Sequence, residues 1–96
     1  MKMSEKVIWK YELMVADEQG VEMPKGATIL TLQVQRGKPC LWVLVSPDAE
    51  KEIRTFETFG TGHLYSDHIW EGLKYIGSYQ LSDGNFVGHV FERERK

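Results

Sequence analysis

Hydrophobic and polar residues alternate with period two along most of the chain, which is the pattern of half-buried β-strands and not of helices. In residues 5–14, Val7, Trp9, Tyr11 and Leu13 fall on one face and Ile8, Lys10, Glu12 and Met14 on the other. This predicts a first strand, amphipathic and one-sided. Residues 16–20 (Ala-Asp-Glu-Gln-Gly) then read as a polar turn and residues 21–26 as an extended connection. There Pro24 holds Met23 extended and Gly26 permits a sharp turn.

Residues 28–36 alternate again, with Leu30, Leu32 and Val34 opposite Ile29, Thr31, Gln33 and Gln35. Arg36-Gly37-Lys38-Pro39 is a turn signal, and residues 40–45 (Cys-Leu-Trp-Val-Leu-Val) are apolar throughout, as in a strand buried on both faces at the centre of a sheet. Strands two and three therefore form a hairpin. Residues 46–51 are a polar connection with a helical turn capped by Ser46, and residues 53–59 resume period two as a fourth strand. Residues 60–72 show no clean period and form the longest loop, with a short helix beginning at Ser66 or Asp67 and ending at Trp70. Strands five and six span residues 73–81 and 86–92, joined at Ser82-Asp83-Gly84-Asn85, where Asp-Gly is a strong hairpin pair. The expected fold is mainly β: a single small antiparallel sheet, barrel or sandwich of about six strands with at most one short helix.

The 96 residues and 11.1 kDa allow one domain, residues 1–96, in which 1–5 and the charged 93–96 fray. Folding at this size removes roughly 65% of the unfolded chain's accessible surface, so oligomerisation is a useful supplement to a modest core. A net charge of −2 and a pI near 5.9 exclude a protein that holds a long nucleic acid by counterion release, although a few local cations can still hold one phosphate. One cysteine cannot form an internal disulfide, no apolar run is long enough to span a bilayer, and the first residues lack the apolar core of a signal peptide. These features point to the cytoplasm and away from membranes.

Gly60-Thr61-Gly62-His63 follows a predicted strand and opens the irregular loop. Two glycines let backbone N–H groups converge on an anion, Thr61 adds a hydroxyl and His63 a donor or a charge. The competing explanation is a strand end that needs positive φ. Tyr65 and Trp70 lie in the same loop, where aromatic rings suit a protein interface or a stacking surface for a base, whereas Trp9, Trp42, Phe56 and Phe91 are expected to fill the core. Arg54, if it projects beside this loop, can grip a phosphate bidentately; otherwise it is sheet-surface charge facing Glu52 or Glu57. His63, His68, His89 and Cys40 lack the spacing of a zinc site, and His89 reads as a satisfied sheet histidine. No acid/base pair or nucleophile motif appears, so neither a catalytic residue nor a cofactor is assigned.

The segments Lys10-Tyr11-Glu12-Leu13, Met23-Pro24-Lys25-Gly26-Ala27, Cys40-Leu41-Trp42, Gly60-Thr61-Gly62-His63 and His89-Val90-Phe91-Glu92 occur in an order that resembles a family of small, functionally uncharacterised proteins of tailed phages and prophages. The resemblance spans about residues 7–92 and supplies no catalytic or binding residues to transfer. It implies action in the cytoplasm of an infected bacterium, where accessory phage proteins often disarm host defence. Together these features make the expected function non-enzymatic sequestration of a small anionic, nucleotide-like ligand by a homo-oligomer, through Arg54, Gly60, Thr61, Gly62, His63, Tyr65 and Trp70. The alternatives are an inhibitor that binds a host defence protein through a sheet face, or a virion or assembly component.

Overall fold

The computed structural model describes residues 5–94. Seven strands follow in order: β1 Val7–Glu12, β2 Glu18–Pro24, β3 Thr28–Gln35, β4 Lys38–Val45, β5 Lys51–Gly60, β6 Leu73–Leu81 and β7 Phe86–Arg93. Two 3₁₀ turns, Asp67–Trp70 and Ser82–Gly84, complete the chain. The strands form two antiparallel sheets, β1-β4-β3 and β2-β5-β7-β6, neither closed into a barrel. Of the expected single sheet, barrel or sandwich, the first two are set aside by two sheets that share one core, and the strands number seven and not about six. The apolar run 38–45 is indeed central, since β4 pairs with β1 on one side and β3 on the other.

Opposed residues in an antiparallel pair point to the same side, so the registers define the faces. In the three-stranded sheet Trp9, Val43 and Ile29 share the inner face with Tyr11, Leu41 and Leu32. The four-stranded sheet answers with Met23, Phe56, Val90 and Tyr79, and these residues with Leu32, Leu41, Val43 and Val45 make one core between the sheets. Of the aromatics expected there, Phe56 is 1% exposed and Trp9 packs against the core's edge. Trp42, opposite Lys10, lies on the outer face of the first sheet, and Phe91, opposite Glu57, on the outer face of the second.

The strand missing from the sequence pattern is β2. Its inward positions are Gln19, Val21 and Met23, opposite Phe56, Arg54 and Glu52. The first of these is polar, which hides the alternation. Gln19 is buried because its amide replaces a ladder pair: it accepts from the Met14 N–H at 2.9 Å and donates to the Met14 carbonyl at 2.8 Å. Pro24 is tolerated because β2 is an edge strand.

Two bulges correct the face assignments. Leu30 is the extra residue between Ile29 and Thr31, so Ile29 and not Leu30 joins Leu32 inside. Ile76 is the extra residue between Tyr75 and Gly77; it turns Tyr75 outward while Tyr79 faces the core. The β3–β4 hairpin closes through Arg36 and Gly37, both at positive φ (52° and 78°), as a two-residue turn requires. The connection after β4 is a turn held by the Ala49 N–H on the Ser46 carbonyl, with no helix. No helix among the described residues is long and apolar enough to cross a membrane.

Candidate functional site

Residues 60–72 do not stand away from the molecule. They fold back across the outer face of the four-stranded sheet, where Phe59 and Phe91 present their rings. The Trp70 ring packs 4.6 Å from Phe59 and 5.6 Å from Phe91, and Tyr65 meets Phe59 edge-on at 4.9 Å. Phe59 is left only 6% exposed. These rings form a second, smaller core, so Tyr65 and Trp70 have a structural task first.

Polar groups lock the loop in place. Arg93 donates to both Glu57 carboxylate oxygens at 2.6 and 2.9 Å, and also to the Glu71 carbonyl at 2.7 Å and the Ile69 carbonyl at 3.3 Å. The Glu94 N–H donates to the Gly72 carbonyl at 2.6 Å. The charged tail is therefore part of the fold through Glu94, and the fraying expected for 1–4 and 95–96 lies outside the described residues. The hydrogen bond to Glu57 raises the Arg93 pKa, with burial acting in the opposite direction, so the clamp stays charged.

On the same face a chain of side chains runs from β6 to the loop. Tyr75 Oη lies 2.7 Å from Ser78 Oγ, Ser78 Oγ 2.7 Å from His89 Nδ1, and His89 Nε2 2.7 Å from Thr61 Oγ1. The Ile76 bulge makes this possible, because strict alternation would put Tyr75 and Ser78 on opposite faces. His89 is satisfied, as expected of a sheet histidine, and its partner Thr61 is thereby fixed. The chain is not legible in the sequence as a unit; its only local signal is that all four residues can donate or accept.

The turn itself is tight. Gly62 has φ of 83°, and at Gly60 a Cβ would sit 3.1 Å from the His63 ring, so the imidazole lies directly over a glycine backbone. Two adjoining clefts of about 280 and 290 Å³ open here and share Gly60, His63 and Phe86. Tyr65 and Asp17 add to the wall of the first, Thr61 and Asn85 to that of the second. Exposed apolar side chains lie at or beside the mouth: Val15 is 55% and Leu64 98% exposed.

Gly60, Thr61, Gly62, His63 and Tyr65 thus gather at one end of the molecule, with Trp70 packed behind Tyr65 at 5.7 Å. Arg54 does not join them. It lies six residues from Gly60 along β5, about 20 Å at strand rise, on the inner face with Phe56 and away from the outer-face rings Phe59 and Phe91. Its guanidinium is committed to the Glu92 carboxylate at 2.5 and 2.8 Å and to the Ala27 carbonyl at 2.6 Å. The hydrogen bond to Glu92 raises its pKa against the effect of burial. Arg54 also does not face Glu57, which Arg93 holds instead. Among the described residues no three His, Cys, Asp or Glu side chains converge as metal ligands. Cys40 is buried, with Sγ 3.5 Å from the Lys38 carbonyl.

Fold and site define a small two-sheet β protein with a partly aromatic cleft at one end. The chain belongs to the family of the domain of unknown function DUF7352, whose profile matches residues 4–96. No curated protein and no solved structure matches it.

Proposed function

We propose that the protein is a non-enzymatic binding protein that takes a small nucleotide-like ligand in the cleft at the Gly60–His63 turn. In this role it acts as a phage-type accessory factor in the host cytoplasm. The observation that carries this reading is the combination of residues in the cleft: the His63 imidazole over Gly60, with Phe86, Tyr65 and Asp17 in the same wall. Aromatic rings take the faces of bases, a carboxylate accepts from a sugar hydroxyl or an exocyclic amine, and the turn with His63 suits a phosphate. Phe86 and Asp17 replace Arg54 in the ligand-contacting set, because Arg54 is internally paired at the far end of β5.

Native mass spectrometry of the protein, incubated with extract from bacteria whose defence signalling has been triggered, tests this. A discrete added mass of a few hundred daltons per chain, lost in His63→Ala and in Phe86→Ala, is the expected result. No added mass from such an extract overturns the proposal.

The second reading, docking on a host protein, is favoured by one observation: Leu64 is 98% exposed between His63 and Tyr65. Leu64→Ser would weaken a protein complex and leave small-molecule binding intact.

A further inference from the structure

Each sheet has two edges, and three of the four edge strands carry features that discourage pairing. β3 has its bulge at Leu30 and β6 its bulge at Ile76. β2 ends in Pro24 and carries Glu18 and Glu22. Bulges, prolines and like charges are how natural sheets blunt their edges. β1 has neither bulge nor proline: its register with β4 runs unbroken from Val7 to Glu12, it stands last in its sheet, and its two charges, Lys10 and Glu12, are of opposite sign.

The hydrogen-bonding phase of that edge follows from one bond. The Leu13 N–H donates to the Pro39 carbonyl at 2.8 Å, so the odd-numbered residues of β1 bond to β4. The main-chain groups of Lys6, Ile8, Lys10 and Glu12 therefore point out of the sheet. Ile8 is 54% exposed and Val7 39% exposed beside them.

We propose that this edge pairs with β1 of a second copy, antiparallel about a two-fold axis through Trp9, joining two three-stranded sheets into one of six strands. The register is selected by charge. Centred on Trp9, Lys6 falls opposite the second copy's Glu12 at both ends, Ile8 opposite Lys10 and Val7 opposite Tyr11. Trp9 meets its own copy in a non-hydrogen-bonded pair, where side chains approach most closely. Centring on Ile8 sets Lys6 opposite Lys10, and centring on Lys10 sets Lys10 opposite itself; both place like charges face to face, while centring on Tyr11 sets Lys10 opposite Glu12 but overlaps only residues 10–12 of a strand that ends at Glu12. Glu12 can serve, since its ion pair with Lys38 is long, at 3.4 Å, and exposed. This pairing is independent of the cleft, which is built by the other sheet and its loop.

Sedimentation equilibrium of the full chain with charge variants is the test. The wild type is expected to be a dimer at about 100 μM. Lys6→Glu and Glu12→Lys each weaken it roughly tenfold or more, since two symmetry-related pairs become repulsive. Mixing the two variants restores full-strength association as a heterodimer, because both ends are then Glu opposite Lys. Lys10→Pro removes an outward-facing N–H and the exposed Lys10 Nζ bond to Gln35 Oε1 at 2.7 Å, and is expected to be folded by circular dichroism and monomeric by sedimentation. A wild-type monomer at that concentration overturns the proposal. So does a dimer indifferent to the charge reversals, or one not rescued by mixing, and these outcomes decide even if the proline variant fails to fold.

Discussion

Tyr79 is the most informative single residue for testing the packing. It is 3% exposed in the core between the sheets, and its hydroxyl is buried without a hydrogen-bond partner among the described residues. Its ring lies over Gly88 on the neighbouring strand, where a Cβ would come within 2.8 Å of the Tyr79 ring carbon that bears the hydroxyl. Burying an unpaired hydroxyl costs about 1–3 kcal/mol, and Tyr79→Phe removes that cost while keeping the ring. Subtracting about 0.5 kcal/mol for the contacts of one lost oxygen leaves a net gain of about 0.5–2.5 kcal/mol. For a domain this size each kcal/mol raises Tm by about 4–8 °C, readily seen by calorimetry. A pH arm checks the same cause. Burial raises the Tyr79 pKa above 10.0, so the folded protein keeps this proton more tightly than the unfolded chain does. Stability is unaffected below about pH 10 and falls as pH rises towards the folded-state value. Tyr79→Phe should flatten part of that alkaline fall; Tyr11, raised by burial and by Glu22, supplies another part. If the variant is instead less stable than wild type at pH 7, the hydroxyl has a partner and the reasoning fails.

Two further outcomes follow from the ion pairs. Arg93→Met should release residues 60–72 from the sheet, seen as faster hydrogen exchange across 66–72 with little change in β4; unchanged exchange would show that the aromatic packing alone holds the loop. Glu92→Gln removes the carboxylate that pairs with the Arg54 guanidinium, in a pair whose side chains are 14% and 15% exposed, and should cost about 2–4 kcal/mol in urea unfolding. The Arg54→Met, Glu92→Leu double variant should recover most of that loss, and failure to do so would mean that the Arg54 bond to the Ala27 carbonyl carries the effect.

Five of the seven strands are legible because period two survives wherever inward positions are apolar, and β4 because its run is apolar on both faces. The seventh is not, since Gln19 is turned inward by hydrogen bonds to Met14 that no hydropathy pattern encodes. The bulges at Leu30 and Ile76 were hidden for a related reason. Each inserts an apolar residue into an alternating run without breaking the run's composition. The loop 60–72 and its short helical turn at Asp67–Trp70 were visible, but its attachment was not. Arg93 looked like part of a charged tail, and its role appears only once β7 carries it beside Glu57 and the loop carbonyls.

The same attachment divides the loop's residues by task. An aromatic ring spent on Phe59 and Phe91 contributes to a ligand only through what remains exposed, so Trp70 acts as foundation and Tyr65 as both foundation and wall. Thr61, tied to His89 and through it to Ser78 and Tyr75, holds the turn's shape. That leaves His63 and Asp17 as the cleft groups whose side chains carry little structural duty, since the Phe86 ring also packs 5.9 Å from Tyr79. Substitutions there should alter binding with little effect on stability, whereas Trp70→Ala would alter both and so cannot distinguish a contact from a scaffold.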